Sequence, residues 1–257
     1  MSDAWIEVDK LKTRLGEFFE QRRVELGTFG NTVNQTFEAF VFAQVLAWYR
    51  SKGWSVEIVN PYDSKLKRRD FKLKFNTRGH PGGYSYAVCA SPDGSDVVQV
   101  RHQLRVATRY YRDGSYPRAN VCLDVAVIRD MLVDGMDTDD HVTNAQLVTF
   151  GEAKHMSAFA ELVASFIGMV HELQPERLKP RRRAVANTGQ HPSPFLFVSG
   201  KFWITAEGII STIERRKIDV KVYNRMKSLS AAITLPTDNA PPRRKRKRKR
   251  SATERID

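Results

Sequence analysis

Apolar residues recur at helical spacing in the first part of the chain and then change to the alternation that is typical of strands. We predict one helix over residues 11–26, ended by Gly27, and a second over residues 32–52, ended by Gly53. Four strand-like runs follow, separated by turns rich in Pro, Gly and Asp. They cover residues 54–59, 71–76, 84–90 and 97–108. Short turns between consecutive strands predict an antiparallel meander.

The second half of the chain combines strands with helices. Strands are predicted over residues 121–128, 146–154, 195–202 and 219–223, and helices over residues 157–173 and 205–217. This order predicts an α/β fold, a mixed β-sheet flanked by helices, in one domain over residues 1–235 that includes the N-terminal helices. Residues 236–257 are rich in Pro and basic residues, which cannot build a core, so we expect a disordered basic tail there.

One carboxylate stands in the middle of an apolar strand. Asp124 lies within residues 120–128, and its neighbours on both sides are apolar. A buried charge without a partner is strongly unfavourable, because the protein interior solvates it poorly. The pattern therefore predicts a partner for Asp124.

The strand predicted over residues 146–154 offers such partners. A period of two along a strand places Glu152 and Lys154 on one face and Gly151 and Ala153 on the other. If this strand pairs with the strand that carries Asp124, two carboxylates and one ammonium group converge on one point.

Phosphodiester hydrolysis needs a group of this kind. Carboxylate oxygens bind Mg²⁺ or Mn²⁺, and a cation near the attacking water or the developing phosphorane charge favours the reaction. We expect Asp124, Glu152 and the Ala153 carbonyl to bind the metal. Lys154 would position or activate the water, or stabilise the negative transition state.

The pattern Leu123-Asp124 followed by Glu152-Ala153-Lys154 resembles the PD-(D/E)XK nuclease superfamily, which includes restriction endonucleases, RecB-like nucleases and resolvases. The proline is absent here. The order of elements across residues 30–225 is similar as well: a helix with an acid, a meander with the aspartate and the Glu-x-Lys strand, a crossing helix, and strand-helix-strand. The resemblance implies a restriction-endonuclease-like fold. It also implies a metal-dependent DNA endonuclease in restriction, defence, mobile-element processing or repair, with RNA as the alternative substrate.

The helix predicted over residues 32–52 carries one acid among apolar side chains. Between residues 37 and 49, Glu38 and Gln44 are the only polar side chains that are not aromatic, so most of this helix should be buried. Members of the superfamily often carry a glutamate on the first core helix that joins the metal site. By this resemblance, Glu38 is a fourth catalytic and metal-binding residue.

Other interpretations stay open. Asp124, Glu152 and Lys154 could form an ion-pair group that only stabilises two strands, and Glu38 could be a buried carboxylate satisfied by a neighbouring element. His155 could face a substrate, although strand alternation turns it away from Lys154. The alternative function is that of a non-catalytic nucleic-acid-binding or assembly protein with a nuclease-like fold.

The formal net charge of +13 indicates a polyanionic partner, and DNA is the first choice. Eight of these charges lie in one unbroken basic run at residues 243–250, so the rest of the chain carries only +5. Two further clusters are basic residues around a predicted strand at residues 65–78, and a mixture of arginine and tyrosine at residues 101–112; the alternative for each is a solvated face. The residues expected to bind nucleic acid are Lys72, Lys74, Arg78, Arg105, Arg109, Arg243, Arg244, Lys245, Arg246, Lys247, Arg248, Lys249 and Arg250.

The remaining features narrow the class of protein. No apolar stretch approaches the roughly 20 residues that cross a bilayer, so no membrane partner is expected. The first residues lack an apolar leader, which predicts a cytoplasmic protein. In a eukaryotic host, the basic run at residues 243–250 resembles a nuclear import signal and predicts a nuclear protein. Cys89 and Cys122 lack metal-site spacing and should be buried small side chains. The oligomeric state is open, with a homodimer as the first state to test.

Overall fold

The computed structural model of this protein describes residues 33–75, 81–111, 119–129, 142–180 and 190–224. The predicted helix over residues 11–26 and the predicted tail over residues 236–257 lie outside these ranges. So do Arg78 and the basic run at residues 243–250. The fold below concerns the described ranges alone.

The first described helix, α1, spans Val33–Ser51 and confirms the prediction over residues 32–52. It is apolar on nearly every side between residues 36 and 49, and most of its side chains there are buried. The chain turns at Gly53, two residues after the helix, where a φ of +80° favours glycine. The Trp54 N–H group donates to the Tyr49 carbonyl across this turn. This turn leads directly into the first strand.

Seven strands form one mixed sheet, which confirms the predicted α/β class. In chain order the described strands are β1 (Ser55–Val59), β2 (Tyr62–Asp63), β3 (Arg68–Arg69), β4 (Tyr86–Ala90), β5 (Val97–Ala107), β6 (Asn120–Arg129), β7 (Leu147–Lys154), β8 (Phe195–Val198) and β9 (Lys221–Tyr223). The sheet order is β1-β4-β5-β6-β7-β8-β9. Neighbours from β1 to β7 run antiparallel, as the predicted meander requires, and β7, β8 and β9 run parallel.

Two helices make the parallel connections. Helix α2 spans Ala160–Leu173 and joins β7 to β8, and helix α3 spans Ile204–Arg216 and joins β8 to β9. Both agree with the predicted helices to within a few residues. No helix in the described part of the chain is long and apolar enough to cross a membrane.

Apolar side chains fill both faces of the sheet. Val125 and Val127 of β6 pack in the cluster that contains α1, whereas Ala126 and Ile128 pack in the cluster that contains α2 and α3. Successive strand residues point to opposite faces, so the two clusters lie on opposite sides of the sheet. The molecule is therefore layered as α1, sheet, and α2 with α3.

One strand prediction is wrong. Residues 71–75 form no strand, although Phe71 and Leu73 are buried as their alternation predicts. β4 already pairs with β1 and β5, so the sheet offers this segment no open edge there. The segment is held instead by Ser85, whose N–H donates to the Lys72 carbonyl at 2.7 Å and whose hydroxyl accepts from Lys72 N–H at 2.8 Å. A short hairpin of β2 and β3, which the pattern did not predict, precedes it.

Candidate active site

The candidate site lies where β6 and β7 separate. The ladder between them ends at the pair Val125 and Gly151. Asp124 on β6 and Glu152 on β7 are each adjacent to this last pair. Beyond this pair, carboxylates take the place of ladder bonds. Ala153 N–H donates to Asp124 Oδ2 at 2.9 Å, and Asp124 N–H donates to Glu152 Oε1 at 3.3 Å. We call the point where β6 and β7 separate the fork. There each acid accepts a hydrogen bond from a backbone N–H group of the opposite strand.

Gly151 makes the close packing behind the fork possible. A Cβ atom at this position would lie 2.1 Å from the ring of Phe195 on β8, which is much closer than any real contact. The ring therefore covers the backbone directly before Glu152. This contact shows why the strand has glycine there.

Lys154 joins the two acids. Its Nζ atom lies 2.7 Å from Asp124 Oδ2 and 2.9 Å from Glu152 Oε2. The side chains of Asp124 and Glu152 are 8% and 7% exposed, while that of Lys154 is 35% exposed. The structure therefore brings together the three residues predicted to converge, with the ammonium on the solvent side of two buried carboxylates.

Glu38 reaches the same group through Gln103. The Gln103 Nε2 group donates to Glu38 Oε2 at 2.8 Å and to Asp124 Oδ1 at 3.1 Å. The Glu38 side chain is 16% exposed, and His102 Nε2 lies 3.5 Å from Glu38 Oε2. The fourth predicted site residue, on α1, is thus linked to the first by one amide.

Burial and mutual charge control the protonation of this group. Burial, followed by the neighbouring Asp124 charge, raises the pKa of Glu152 to about 8. Burial opposes the charged form of Lys154, but the Glu152 and Asp124 carboxylates outweigh it and raise the pKa of the ammonium. Lys154 is therefore a cation in this state and not a base. The raised pKa of Glu152 means that burial opposes the ionised form of this carboxyl even beside the Lys154 ammonium.

The donor set suits a hard divalent cation. Mg²⁺ is commonly held by one or two carboxylates together with water and substrate phosphates, so Asp124 and Glu152 suffice as protein ligands. Within the described ranges, no three His, Cys, Asp or Glu side chains are grouped so as to hold a metal ion. Because Lys154 lies between the two carboxylates, a metal ion at this point has to compete with its ammonium.

The basic residues predicted to bind nucleic acid fall in different environments. Lys72 is exposed and its ammonium lies 5.1 Å from the centre of the Tyr84 ring. Arg105 is exposed and donates to Asn120 Oδ1 at 2.6 Å, and Arg109 is exposed and paired with Glu176 at 2.9 Å.

Lys74 departs from the surface position that the prediction assumed. The residue is only 3% exposed, and its Nζ atom donates to the Gln103 carbonyl at 3.1 Å. Burial lowers the pKa of Lys74. Lys74 thus contacts Gln103, the residue that links Glu38 to Asp124, from inside the protein.

His155 and the cysteines pack into the protein. The His155 ring centre lies 5.9 Å from that of Phe37 on α1, and burial lowers the pKa of His155. Both cysteines are free thiols. Cys89 is buried as predicted and Cys122 is half-buried, and burial raises their pKa values to about 12 and about 11.

Gln103 and His102 were missed by the sequence analysis. On β5, Gln99, Arg101, Gln103 and Arg105 alternate with mostly apolar residues, so a period of two marks Gln103 as one of several polar residues on a strand. Nothing in that pattern distinguishes Gln103 from the others. Its φ of +53° is a property of the fold that the pattern does not encode.

Comparison with protein-family models, curated proteins and solved structures finds no match to this chain. The resemblance to the PD-(D/E)XK nucleases therefore has the motif residues and the order of elements as its basis. Any functional conclusion has to come from the geometry of the site.

Proposed function

We propose that this protein is a divalent-metal-dependent nuclease of the PD-(D/E)XK type that hydrolyses phosphodiester bonds, with DNA as its first-choice substrate. The observation that carries the proposal is the fork of β6 and β7. There Asp124 and Glu152 are buried side by side and Lys154 closes the group toward solvent. Two carboxyl groups buried together at an open strand end, where burial opposes the ionisation of Glu152, are an arrangement suited to binding a cation.

Each residue has a distinct task in this proposal. Asp124 and Glu152 would hold Mg²⁺ or Mn²⁺, and the Ala153 carbonyl is the expected backbone ligand beside them. Glu38 would enter the same site, since Gln103 already ties it to Asp124. When bound, the metal would supply Lewis-acid stabilisation of the phosphate charge and lower the pKa of water. Lys154, a cation on the solvent side, would face the scissile phosphate.

Nucleic acid is the substrate that the charge distribution favours. The chain carries +13 overall, and +5 remains without the run at residues 243–250. Lys72 and Arg105 are exposed cations that would add contacts to the phosphates. A DNA backbone would therefore be attracted to the protein with a strong dependence on salt.

A cleavage assay with matched variants tests the proposal. Supercoiled plasmid, linear duplex, single-stranded DNA and RNA are incubated with the protein in Mg²⁺, Mn²⁺ or EDTA. We expect cleavage with either metal, none in EDTA, and a loss of at least about 100-fold in Lys154→Ala. Lys221→Ala, an exposed lysine on β9, is the control and should cleave like wild type. Cleavage in EDTA, or an unchanged rate in Lys154→Ala, would refute the assignment.

A second variant guards against loss of the fold. Lys154→Ala leaves two buried carboxylates without their contacting cation, which is destabilising. Asp124→Asn removes a negative charge instead and retains an oxygen that can accept from Ala153 N–H. Circular dichroism should show a folded protein, and cleavage should again be lost. A folded, fully active Asp124→Asn variant would contradict the proposal.

One observation favours the second candidate, a non-catalytic nucleic-acid-binding protein. The Lys154 ammonium already pairs with both carboxylates, as a purely structural ion group would. Such a protein binds DNA with a steep salt dependence and releases no products with any divalent metal. Metal titration followed by thermal unfolding separates the two candidates, because only a metal site responds to Mn²⁺ with a higher Tm.

A further inference from the structure

Two consecutive residues of β5 contact the same carboxylate. Gln103 Nε2 lies 2.8 Å from Glu38 Oε2, and His102 Nε2 lies 3.5 Å from the same oxygen. In a regular strand, consecutive side chains point to opposite faces of the sheet, so they cannot both reach one atom of a helix on one face. The backbone of β5 must therefore depart from regular geometry at this point.

The departure lies at Gln103. Its φ of +53° is in the left-handed region, which is unfavourable for a residue with a Cβ. Val98 and Val100 pack in the cluster with α1, but Leu104 and Val106 pack in the opposite cluster. The face to which β5 turns its even-numbered residues therefore switches across Gln103.

The neighbouring strand switches at the facing position. Val125 packs with the α1 cluster and Leu123 with the opposite one. The β5–β6 pairs His102 with Val125 and Leu104 with Leu123 flank Gln103 and Asp124, which are not paired through the ladder. The irregular point of both strands thus coincides with the candidate site.

Several contacts hold the left-handed turn in place. The buried ammonium of Lys74 donates to the Gln103 carbonyl, and His102 Nδ1 lies 2.5 Å from the Lys74 carbonyl. The Cys122 thiol donates to Gln103 Oε1 at 3.3 Å. The side-chain amide therefore uses its oxygen and both of its N–H groups within the protein.

We propose that Gln103 is a positioning residue that fixes Glu38 against Asp124, and that the fold maintains its left-handed backbone for this purpose. The inference rests on the proposed nuclease function in so far as Glu38 and Asp124 belong to the metal site. A neutral amide suits the task because it donates to two acids at once without adding charge. Leucine fills similar space but donates nothing, and glutamate adds a third negative charge.

Two substitutions at position 103 separate positioning from a structural role. Gln103→Gly removes the amide but relieves the left-handed strain, whereas Gln103→Leu removes the amide and retains the strain. We expect a higher Tm for the glycine variant than for the leucine variant. We also expect kcat to fall about 10- to 100-fold in both variants, with little change in KM. A structural role predicts instead that activity follows stability, so that the glycine variant is clearly the more active one.

Lys217 provides the matched control. It is an exposed residue at the C-terminal end of α3 with a φ of +55°, which is nearly that of Gln103, and it lies outside the candidate site. Lys217→Gly should raise or maintain the Tm and leave cleavage unchanged. This variant measures how much Tm changes when glycine replaces a residue with a left-handed backbone outside the candidate site.

A double-mutant cycle tests whether Gln103 acts through Glu38. If it does, Glu38→Gln combined with Gln103→Leu should lower kcat no further than Glu38→Gln alone, whereas independent roles predict that the two fold-changes multiply. Multiplying effects, or a wild-type kcat in Gln103→Leu, would overturn the inference.

The same cycle works without catalysis, so failure of the inference is distinguishable from failure of the nuclease proposal. If the wild-type protein cleaves no nucleic acid, the cycle is measured on Tm. Gln103→Leu leaves the Glu38 carboxylate without its donor, so Glu38→Gln should lower Tm less in that variant than in wild type. Equal Tm changes in both backgrounds would overturn the inference.

Discussion

Two buried charge clusters in this sheet differ in how their charges are balanced. At the fork of β6 and β7, Lys154 contacts both Asp124 and Glu152. At the parallel edge, Arg177 pairs with Asp219 at 2.5 Å, and its second nitrogen donates to the Val148 carbonyl at 3.3 Å. The Asp219 N–H group donates to the Arg177 carbonyl at 2.8 Å.

The difference separates a structural clamp from a candidate active site. In the second cluster, the Arg177 guanidinium contacts one Asp219 oxygen and the Ser193 hydroxyl donates to the other. These contacts tie the segment after α2 to the segment before β9. The fork combines two carboxylates with one ammonium and adds Glu38 through Gln103. Ionising both carboxyl groups of the fork is unfavourable because they are buried, and a bound cation would offset the resulting negative charge.

The largest effect is expected from breaking the Arg177–Asp219 pair. Arg177→Met leaves the buried Asp219 carboxylate without its guanidinium, and we expect the free energy of unfolding to fall by about 3–5 kcal/mol. Urea denaturation measures this change. Arg215→Met, an exposed arginine in the last turn of α3, is the control and should change it by less than about 0.5 kcal/mol. Cleavage per folded molecule should stay at the wild-type level, and a selective loss of kcat would assign Arg177 to the site instead.

The next effect concerns the fork, where Lys154 contacts Asp124 and Glu152. In Lys154→Ala the ammonium no longer competes for the carboxylate oxygens, so Mn²⁺ should stabilise this variant more than it stabilises wild type. At a metal concentration about 100 times the dissociation constant, the gain is about 2.7 kcal/mol. Thermal unfolding with and without Mn²⁺ measures it, and Arg177→Met, outside the fork, should respond like wild type. A Lys154→Ala variant whose Tm ignores Mn²⁺ would identify the fork as a structural ion group.

Sequence patterns could predict the apolar periodicity of this fold and the convergence of Asp124, Glu152 and Lys154 better than the irregular point of β5. The element order, α1 and the alternation of Glu152 and Lys154 follow from hydrophobic periodicity, because buried faces impose it. Residues 71–75 were misjudged because alternation reports burial and does not report ladder pairing. The coupling of Glu38 to Asp124 depends on a backbone torsion at Gln103, which no residue pattern records.

The pH dependence of the free energy of unfolding tests the burial of Glu152 at the fork. The pKa of Glu152 is about 8 in the folded protein, above the ordinary value of 4.5. Because the folded value is the higher one, this group's contribution to stability is full below pH 4.5 and is lost as pH rises through 8. We expect a slope of at most about 1.4 kcal/mol per pH unit in this window without divalent metal. Glu152→Gln should flatten it, and an unchanged slope would place its origin elsewhere.

The smallest effect is expected at the surface. There Arg109 is paired with Glu176, whereas Lys72 lies over the ring of Tyr84. A cation already neutralised by an acid contributes less to phosphate binding than one beside a neutral group. Lys72→Ala should therefore reduce the slope of log K against log salt for DNA binding by about 1, and Arg109→Ala by clearly less. Fluorescence anisotropy with a labelled duplex measures both slopes. Equal reductions would mean that the Arg109–Glu176 pair opens when DNA binds, so that pairing in the free protein does not decide which surface cations meet phosphate.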